Sequence, residues 1–381
     1  MTARSIPVAR PRRSLTDAQR LAWLRLIRSE NVGPVTFREM LNHFGGAVEA
    51  LEALPELSRR GGRSRPLQVC PAAAAEHELA LAAKAKAKLV ALDEQGYPPL
   101  LAVIEAPPPL IYMRGRPELL AKPTVAVVGA RDASAAGRKI THRIAADLGA
   151  GGVAIASGLA RGIDTAAHEA ALPTGTIAVI AGGIDMVYPP ENAALHEQIA
   201  TEGVLIAENA PGLSPRGRDF PRCNRLISGM ALAVLVVEAA LRSGSRITAD
   251  FARDQGRMLF AVPGNPLDPR AGGTNQLIKD GARLVTEAGD VVAGLGTLLA
   301  GYSPPPASAD IALSERPLPA IAISNPDRNK IVEALGPAPI SLDDLIRMTG
   351  VEARQVRVVL MELELAGRVE RLGQQRVALK A

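Results

Sequence analysis

Residues 124–131 read TVAVVGAR, and the fold follows from this stretch. An unbroken run of β-forming residues from Thr124 to Val128 does not alternate polar with apolar. It reads as a strand covered on both faces. Gly129 then permits a tight turn. The segment carrying Ser134 and Gly137 continues as a helix, so the stretch is a strand-to-helix junction. Such a helix start offers unpaired amide hydrogens to an anion, and Arg131 adds a charge at the same mouth. The spacing is neither the GxGxxG dinucleotide fingerprint nor a GxxxxGK[ST] phosphate loop.

The same grammar recurs downstream. β-rich runs are expected at Val153–Ser157, Thr176–Gly182, Val204–Glu208, Ala233–Glu238, Met258–Gly264 and Ala282–Val285, with helix-length segments between most of them. Apolar strands alternating with helices predict a Rossmann-like, mainly parallel α/β sheet with helices on both faces. Ligands of such sheets sit outside the carboxyl ends of the strands, where Gly, Ser, Asn and Glu gather here.

Two different compositions flank this core. Up to about residue 115 the chain reads as helical, with Leu21, Leu24, Ile27, Phe37 and Leu41 at helical spacing. Asn31-Val32-Gly33-Pro34 forms a turn, and Gly45-Gly46 ends the second helix. Two short helices around such a turn resemble a helix-hairpin-helix (SAM-like) unit, and a plain helical packing domain is the other reading. Residues 301–324 hold Pro304-Pro305-Pro306, Pro317 and Pro319 and read as a linker. From residue 325 the order helix, N-cap Ser341, helix, Thr349-Gly350, longer helix and two short strands about Gly373 predicts a winged helix. The expected domains are therefore 1–115, 116–300, 301–324 and 325–381. A winged helix often reads DNA through the second helix of its motif. Here Glu352, Glu362 and Glu364 offset Arg354 and Arg357, so a protein-interaction module is an equal reading.

Bulk properties narrow the function. The 381 residues are 47% hydrophobic but only 3% aromatic, so few bases could stack on rings. Net charge is +5, unevenly spread. Residues 121–300 balance 17 basic against 17 acidic side chains, yet 211–257 alone hold eight arginines and four acids. Gathered on one face, that cluster would suit an anionic partner. Cys70 and Cys223 form no CxxC pair and suggest a reducing compartment. With no signal peptide or membrane-length apolar run, a cytoplasmic protein is expected.

Three further motifs carry chemistry. In Ser157–Asp164 (SGLARGID), Gly158 and Gly162 open the backbone after a strand, and Arg161 supplies charge. Asp164 suits a helix cap, with His168 one turn on; a catalytic Asp/His pair is the sharper reading, but it lacks a nucleophile. Phe220-Pro221-Arg222-Cys223-Asn224-Arg225 places an aromatic, an amide and arginines at a helix start, which suits a phosphodiester backbone with one stacked base. A surface helix cap with ion pairs is the plainer reading. Finally, Ser243-Gly244-Ser245-Arg246 with Thr248, Pro263-Gly264-Asn265 and Gly272-Gly273-Thr274-Asn275 are small polar turns at the same sheet edge.

Taken in order, these motifs resemble the DNA-processing protein A (DprA, also called Smf) family. The resemblance rests on Gly129–Arg131, Ser157–Asp164 with His168, Gly182-Gly183 and Tyr188-Pro189. It continues through Glu208, Phe220–Arg225, Glu238, Ser243–Thr248, Pro263-Gly264 and Gly273–Asn275. It implies an extended Rossmann core that binds single-stranded DNA with little sequence preference, protects incoming strands in natural transformation, loads RecA recombinase and pairs as a homodimer. Neither cofactor nor metal is implied. DNA contacts are expected from Arg131, Arg161, Phe220, Arg222, Asn224, Arg225 and Arg246. Gly129, Gly158, Gly162, Ser243, Gly244, Ser245, Gly273, Thr274 and Asn275 would shape the pocket, with Asp164, Glu208 and Glu238 ordering the arginines. The family's Arg-Asn-Arg is here Cys223-Asn224-Arg225; restoring arginine at 223 is expected to strengthen binding, or, if these positions are buried packing, to destabilise the fold as loss of Arg225 would.

Other functions fit less well. A nucleotide phosphoribohydrolase on a related core would need a Pro-Gly-Gly-x-Gly-Thr-x-x-Glu signature that Arg242–Asp250 and Ala271–Asn275 do not reproduce. A nuclease would need clustered carboxylates. A nucleotide-sensing winged-helix regulator would need a basic recognition helix, which residues 352–366 do not supply.

Overall fold

The computed structural model describes residues 14–305, 323–373 and 376–380. They fall into two compact units, one centred on residues 78–311 and the other combining 15–77 with 312–381.

The first unit is built on a nine-stranded sheet. Its strands are β1 (Lys88–Ala91), β2 (Leu110–Gly115), β3 (Thr124–Gly129), β4 (Ala154–Ser157), β5 (Thr176–Gly183), β6 (Val204–Asn209), β7 (Ala233–Val237), β8 (Met258–Ala261) and β9 (Arg283–Leu284). The spatial order is β1-β2-β6-β5-β4-β3-β7-β8-β9, and every pairing from β6 to β9 is parallel. Alternation along β3 explains its unbroken apolar run. Val125 and Val127 enter one core, with helices Ala135–Ala150 and Ile163–Ala171. Ala126 and Val128 enter the opposite core, with helices Asp219–Gly229 and Gly244–Asp254. A strand covered on both faces has no polar side to show.

Strands β1 and β2 correct the expected boundary at residue 115. Both run antiparallel, β1 on β2 and β2 on β6, so the sheet begins at Lys88. A core cut at residue 120 would lose two strands and expose one edge of β6. The strand runs expected from Thr124 onward all form, within a few residues. β7 stops at Val237, because Glu238 turns into left-handed backbone at φ 52.

The second unit contains helices Asp17–Arg28, Pro34–Phe44 and Ala47–Arg60. Thr16 and Gln19 form a capping box on the first, and Gly45, at φ 78, closes the second. The same unit holds a winged helix: helices Asn325–Ala334, Leu342–Thr349 and Ala353–Leu365 with strands β10 (Ile340–Ser341), β11 (Val369–Leu372) and β12 (Arg376–Leu379). Ser341 caps its helix as expected, accepting from the Asp344 amide. The linker expected at 301–324 falls mostly outside the described residues. Among those described, no helix is long and apolar enough to cross a membrane.

Candidate nucleic-acid interface

Strand order places the site. From β3 the chain runs outward through β4, β5 and β6, then returns to β7 on the other side of β3. The reversal between β3 and β7 is the switch point at which ligands of doubly wound sheets bind. The turns after β3, β4 and β7 meet there. Gly129 lies so close to β7 that a Cβ would sit 1.8 Å from the Val237 carbonyl oxygen. At Gly162, φ 79, a Cβ would stand 2.3 Å from the Ala130 carbonyl oxygen and 2.5 Å from that of Arg131. No side chain fits at either glycine.

The anion seat expected at the head of helix Ala135–Ala150 is already filled. The Ser134 amide donates to the Glu238 carboxylate at 2.8 Å, and the Ser134 hydroxyl donates to the same group. A Cβ on Gly137 would strike that carboxylate at 2.5 Å, which accounts for glycine there. The chain's own acid thus holds the place where a mononucleotide phosphate would meet the helix dipole.

Asp164 also differs from expectation. Gly162 is the N-cap, with no side-chain cap bond, and Asp164 lies inside helix Ile163–Ala171. Its carboxylate accepts from the amides of Gly158 (3.2 Å) and Ala160 (3.3 Å), tying down the loop that carries Arg161. Burial pushes its carboxyl up to about 6, against the pull of those amides, Ser157 and the Arg131 charge. His168 faces away to Thr176, with Nδ1 and Oγ1 2.6 Å apart, and burial pushes it down to about 3. The two have separate partners and form no catalytic dyad.

Outside these internal ties lies a cluster in which Arg131 and Tyr188 are exposed and Phe220 is half-buried. The Arg131 guanidinium sits 5.0 Å from the Phe220 ring centroid, within cation–π range. Tyr188, 44% exposed, lies 5.8 Å from the same ring at 60°. Motif reading did not place Tyr188 in the site. Its only signal was an aromatic next to proline after the Gly182-Gly183 strand end. Arg222 is exposed on the same helix, and the Asn224 amide donates to the Gly244 carbonyl at 3.3 Å, joining this helix to the Ser243–Ser245 turn. Ser243 and Ser245 hydroxyls pair at 2.9 Å, and Arg246 donates to the Leu241 carbonyl at 3.1 Å. The Gly273 amide bonds to Ala239, Thr274 to the Ala271 carbonyl, and Asn275 pins Gly264 through both amide groups. Arg161, half exposed, stands 3.9 Å from Glu191.

Two expected contacts point inward instead. Arg225 reaches both oxygens of Glu208 at 3.3 Å and donates to the Ala106 carbonyl, with 16% of its side chain exposed. Cys223 is buried, its thiol donating to the Val179 carbonyl at 3.2 Å. The space around Cys223 is the core beneath β5, with Asp164 and Glu208 in electrostatic range. Among the described residues, no three His, Cys, Asp or Glu side chains are grouped to hold a metal ion.

The class these features define is a doubly wound α/β protein with an arginine–aromatic cluster at its carboxyl edge and an internal carboxylate at the head of the helix after β3. Comparison with known proteins narrows the class. A sequence model described as DNA recombination-mediator protein A matches residues 88–296. A DprA-like N-terminal HHH domain matches 17–81, and a DprA winged helix domain matches 314–375. The chain belongs to the DprA/Smf family. It is 30% identical to Protein Smf of Synechocystis over 93% of this chain and 97% of that one. It is 44% identical to DNA processing protein DprA of Streptococcus pneumoniae over 52% of this chain and 70% of that protein. The solved structure of the pneumococcal protein superimposes with a TM-score of 0.61 at 34% identity, covering 73% of this chain and 98% of that one. DNA processing protein A of Helicobacter pylori, whose structure is described for its single-stranded DNA binding mode, gives 0.51 at 29% identity over 57% and 97%.

Proposed function

We propose that the chain binds single-stranded DNA, with little sequence preference, along the carboxyl edge of β3, β4 and β7. The observation that carries this reading is the Arg131–Phe220–Tyr188 cluster, in which Arg131 and Tyr188 are exposed and Phe220 is half-buried between them and the core. A guanidinium beside two aromatic faces suits a phosphate followed by unstacked bases, and a duplex keeps its bases out of reach of such faces. Arg161, Arg222, Asn224 and Arg246 extend the charged and polar lining, while Glu238 turns a lone phosphate away from the helix head. The chain acts by binding, without turnover. The likeness to the Helicobacter pylori protein supports the ligand. Family membership supports the finer reading: a cytoplasmic homodimer that protects incoming strands and hands them to RecA recombinase.

The test is side-by-side binding of a single-stranded oligonucleotide, its duplex and a mononucleotide across a salt series. Single strands are expected to bind tightest, with affinity falling as salt rises. Duplex preference, or tight mononucleotide binding, would overturn the reading.

A further inference from the structure

Five consecutive residues of helix Ala353–Leu365, Val359 to Leu363, are buried. An amphipathic helix packed on one domain buries a stripe, not its full circumference. The core of the winged helix accounts for Val356, Val359, Leu360 and Leu363. Met361 and Glu362, each 1% exposed, need a second cover. Helices Pro34–Phe44 and Ala47–Arg60, in the same compact unit, provide it.

Polar bonds cross this junction along its length. The Asn31 side-chain amide donates to the Leu365 carbonyl at 3.0 Å, and Arg368 donates to the Gly61 carbonyl at 3.2 Å. Arg371 bridges Glu39 at 2.6 Å and Glu364 at 2.9 Å, each partner less than one-fifth exposed. Arg328 pairs with the buried Glu362 and reaches the Arg60 carbonyl at 3.5 Å. Gly61 has an ordinary helical φ of −69, yet a Cβ there would stand 2.0 Å from the Glu362 carbonyl oxygen. Its own backbone does not require glycine; the approach of the other module does.

We propose that the winged helix is an intramolecular clasp. The helix that would read DNA closes on the N-terminal helices of the same chain, and the two sequence-distant modules fold as one cooperative unit. The junction holds Arg371 between two carboxylates and Arg328 against a third, a setting that matches arginine and repels phosphate. This role does not depend on what the first unit binds.

Trp23 is the chain's single tryptophan, 4% exposed and edge-to-face with Phe37 at 5.1 Å, so its fluorescence reports the N-terminal module. In the full chain, Arg371→Ala lies more than 300 residues away in sequence, yet it is expected to lower the Trp23 melting transition by several degrees. Gly61→Ala, which wedges the junction, should lower it further, and Asn31→Ala should lower it least. A second transition, from the sheet unit, should stay in place. A Trp23 unit already unfolded in Gly61→Ala beside an intact sheet unit would also support the clasp. An unmoved Trp23 transition in Arg371→Ala would overturn it, as would loss of both units together. Arg357→Glu, on the exposed side of the clasp helix, should leave duplex-DNA affinity unchanged; a tenfold loss would show that the helix reads DNA and overturn the proposal.

Discussion

Helix Asp219–Gly229 has two faces that its sequence motif does not distinguish. On the open side, Arg222 is exposed, and Phe220, half-buried against the same core as Cys223, keeps a ring face to Arg131 and Tyr188. Inward, Cys223 hydrogen-bonds to β5 and Arg225 is locked between Glu208 and the Ala106 carbonyl. Successive residues of a helix are about 100° apart, so a six-residue motif wraps more than a full turn. Its residues therefore divide between a binding surface and the frame that supports it. The difference teaches that a motif arginine can matter through the fold without touching a ligand.

The sharpest way to break this division is Cys223→Arg. Desolvating and overpacking a guanidinium in that buried site, even with Asp164 and Glu208 in electrostatic range, is expected to cost about 4–5 kcal/mol, seen as a large drop in melting temperature. A variant that melts like the parent and binds single strands more tightly would place position 223 in the groove after all. Next is Arg225→Ala, which takes a charge partner from the half-buried Glu208 carboxylate and the donor from the Ala106 carbonyl, and should cost about 3 kcal/mol of stability. The salt slope of binding should barely change, and a lower slope with an unchanged melt would move Arg225 to the outer face. Phe220→Ala should do the reverse, weakening single-strand binding by about 10- to 100-fold, as loss of one stacked base would. Affinity within a factor of two in a folded Phe220→Ala protein would remove the stacking surface. The smallest effect is Arg131→Ala, expected to reduce the magnitude of the salt slope by about 0.7 at every sequence tested. A sequence-dependent loss would argue for base reading instead.

Legibility from sequence followed physical range. Strands β3 to β7 were readable because burial on both faces leaves an unbroken apolar run, as at Thr124–Val128. β1 and β2 were not. Lys88–Ala91 is four residues long and follows the Ala-rich helix Ala72–Lys84, so it reads as a helical extension. The glycines at 129 and 162 announced tight turns correctly, because their constraint is local backbone. Glu238 was read as an acid that orders arginines. Its seat on Ser134 depends on two turns 104 residues apart meeting at the switch point, which no local pattern records. Likewise, the exposed Tyr188 joins Phe220 only through the sheet. The winged helix was legible in its order of elements, but its cover was not: Glu362 looked like a surface charge until Arg328 and the N-terminal helices surrounded it.

The union of residues 15–77 with 323–380 also sets an order of events during synthesis. The first helices leave the ribosome with Glu39 and the Gly61 edge uncovered, and their cover is translated last. At about 5–20 residues per second, roughly 10–50 s separate the two modules. Meanwhile the nine-stranded sheet, encoded wholly between them, can complete its own core. A nascent-chain arrest after β9 is made but before residue 323 would therefore release a finished sheet beside a half-built partner. That makes the N-terminal helices the segment most dependent on chaperones and most open to proteolysis until translation ends.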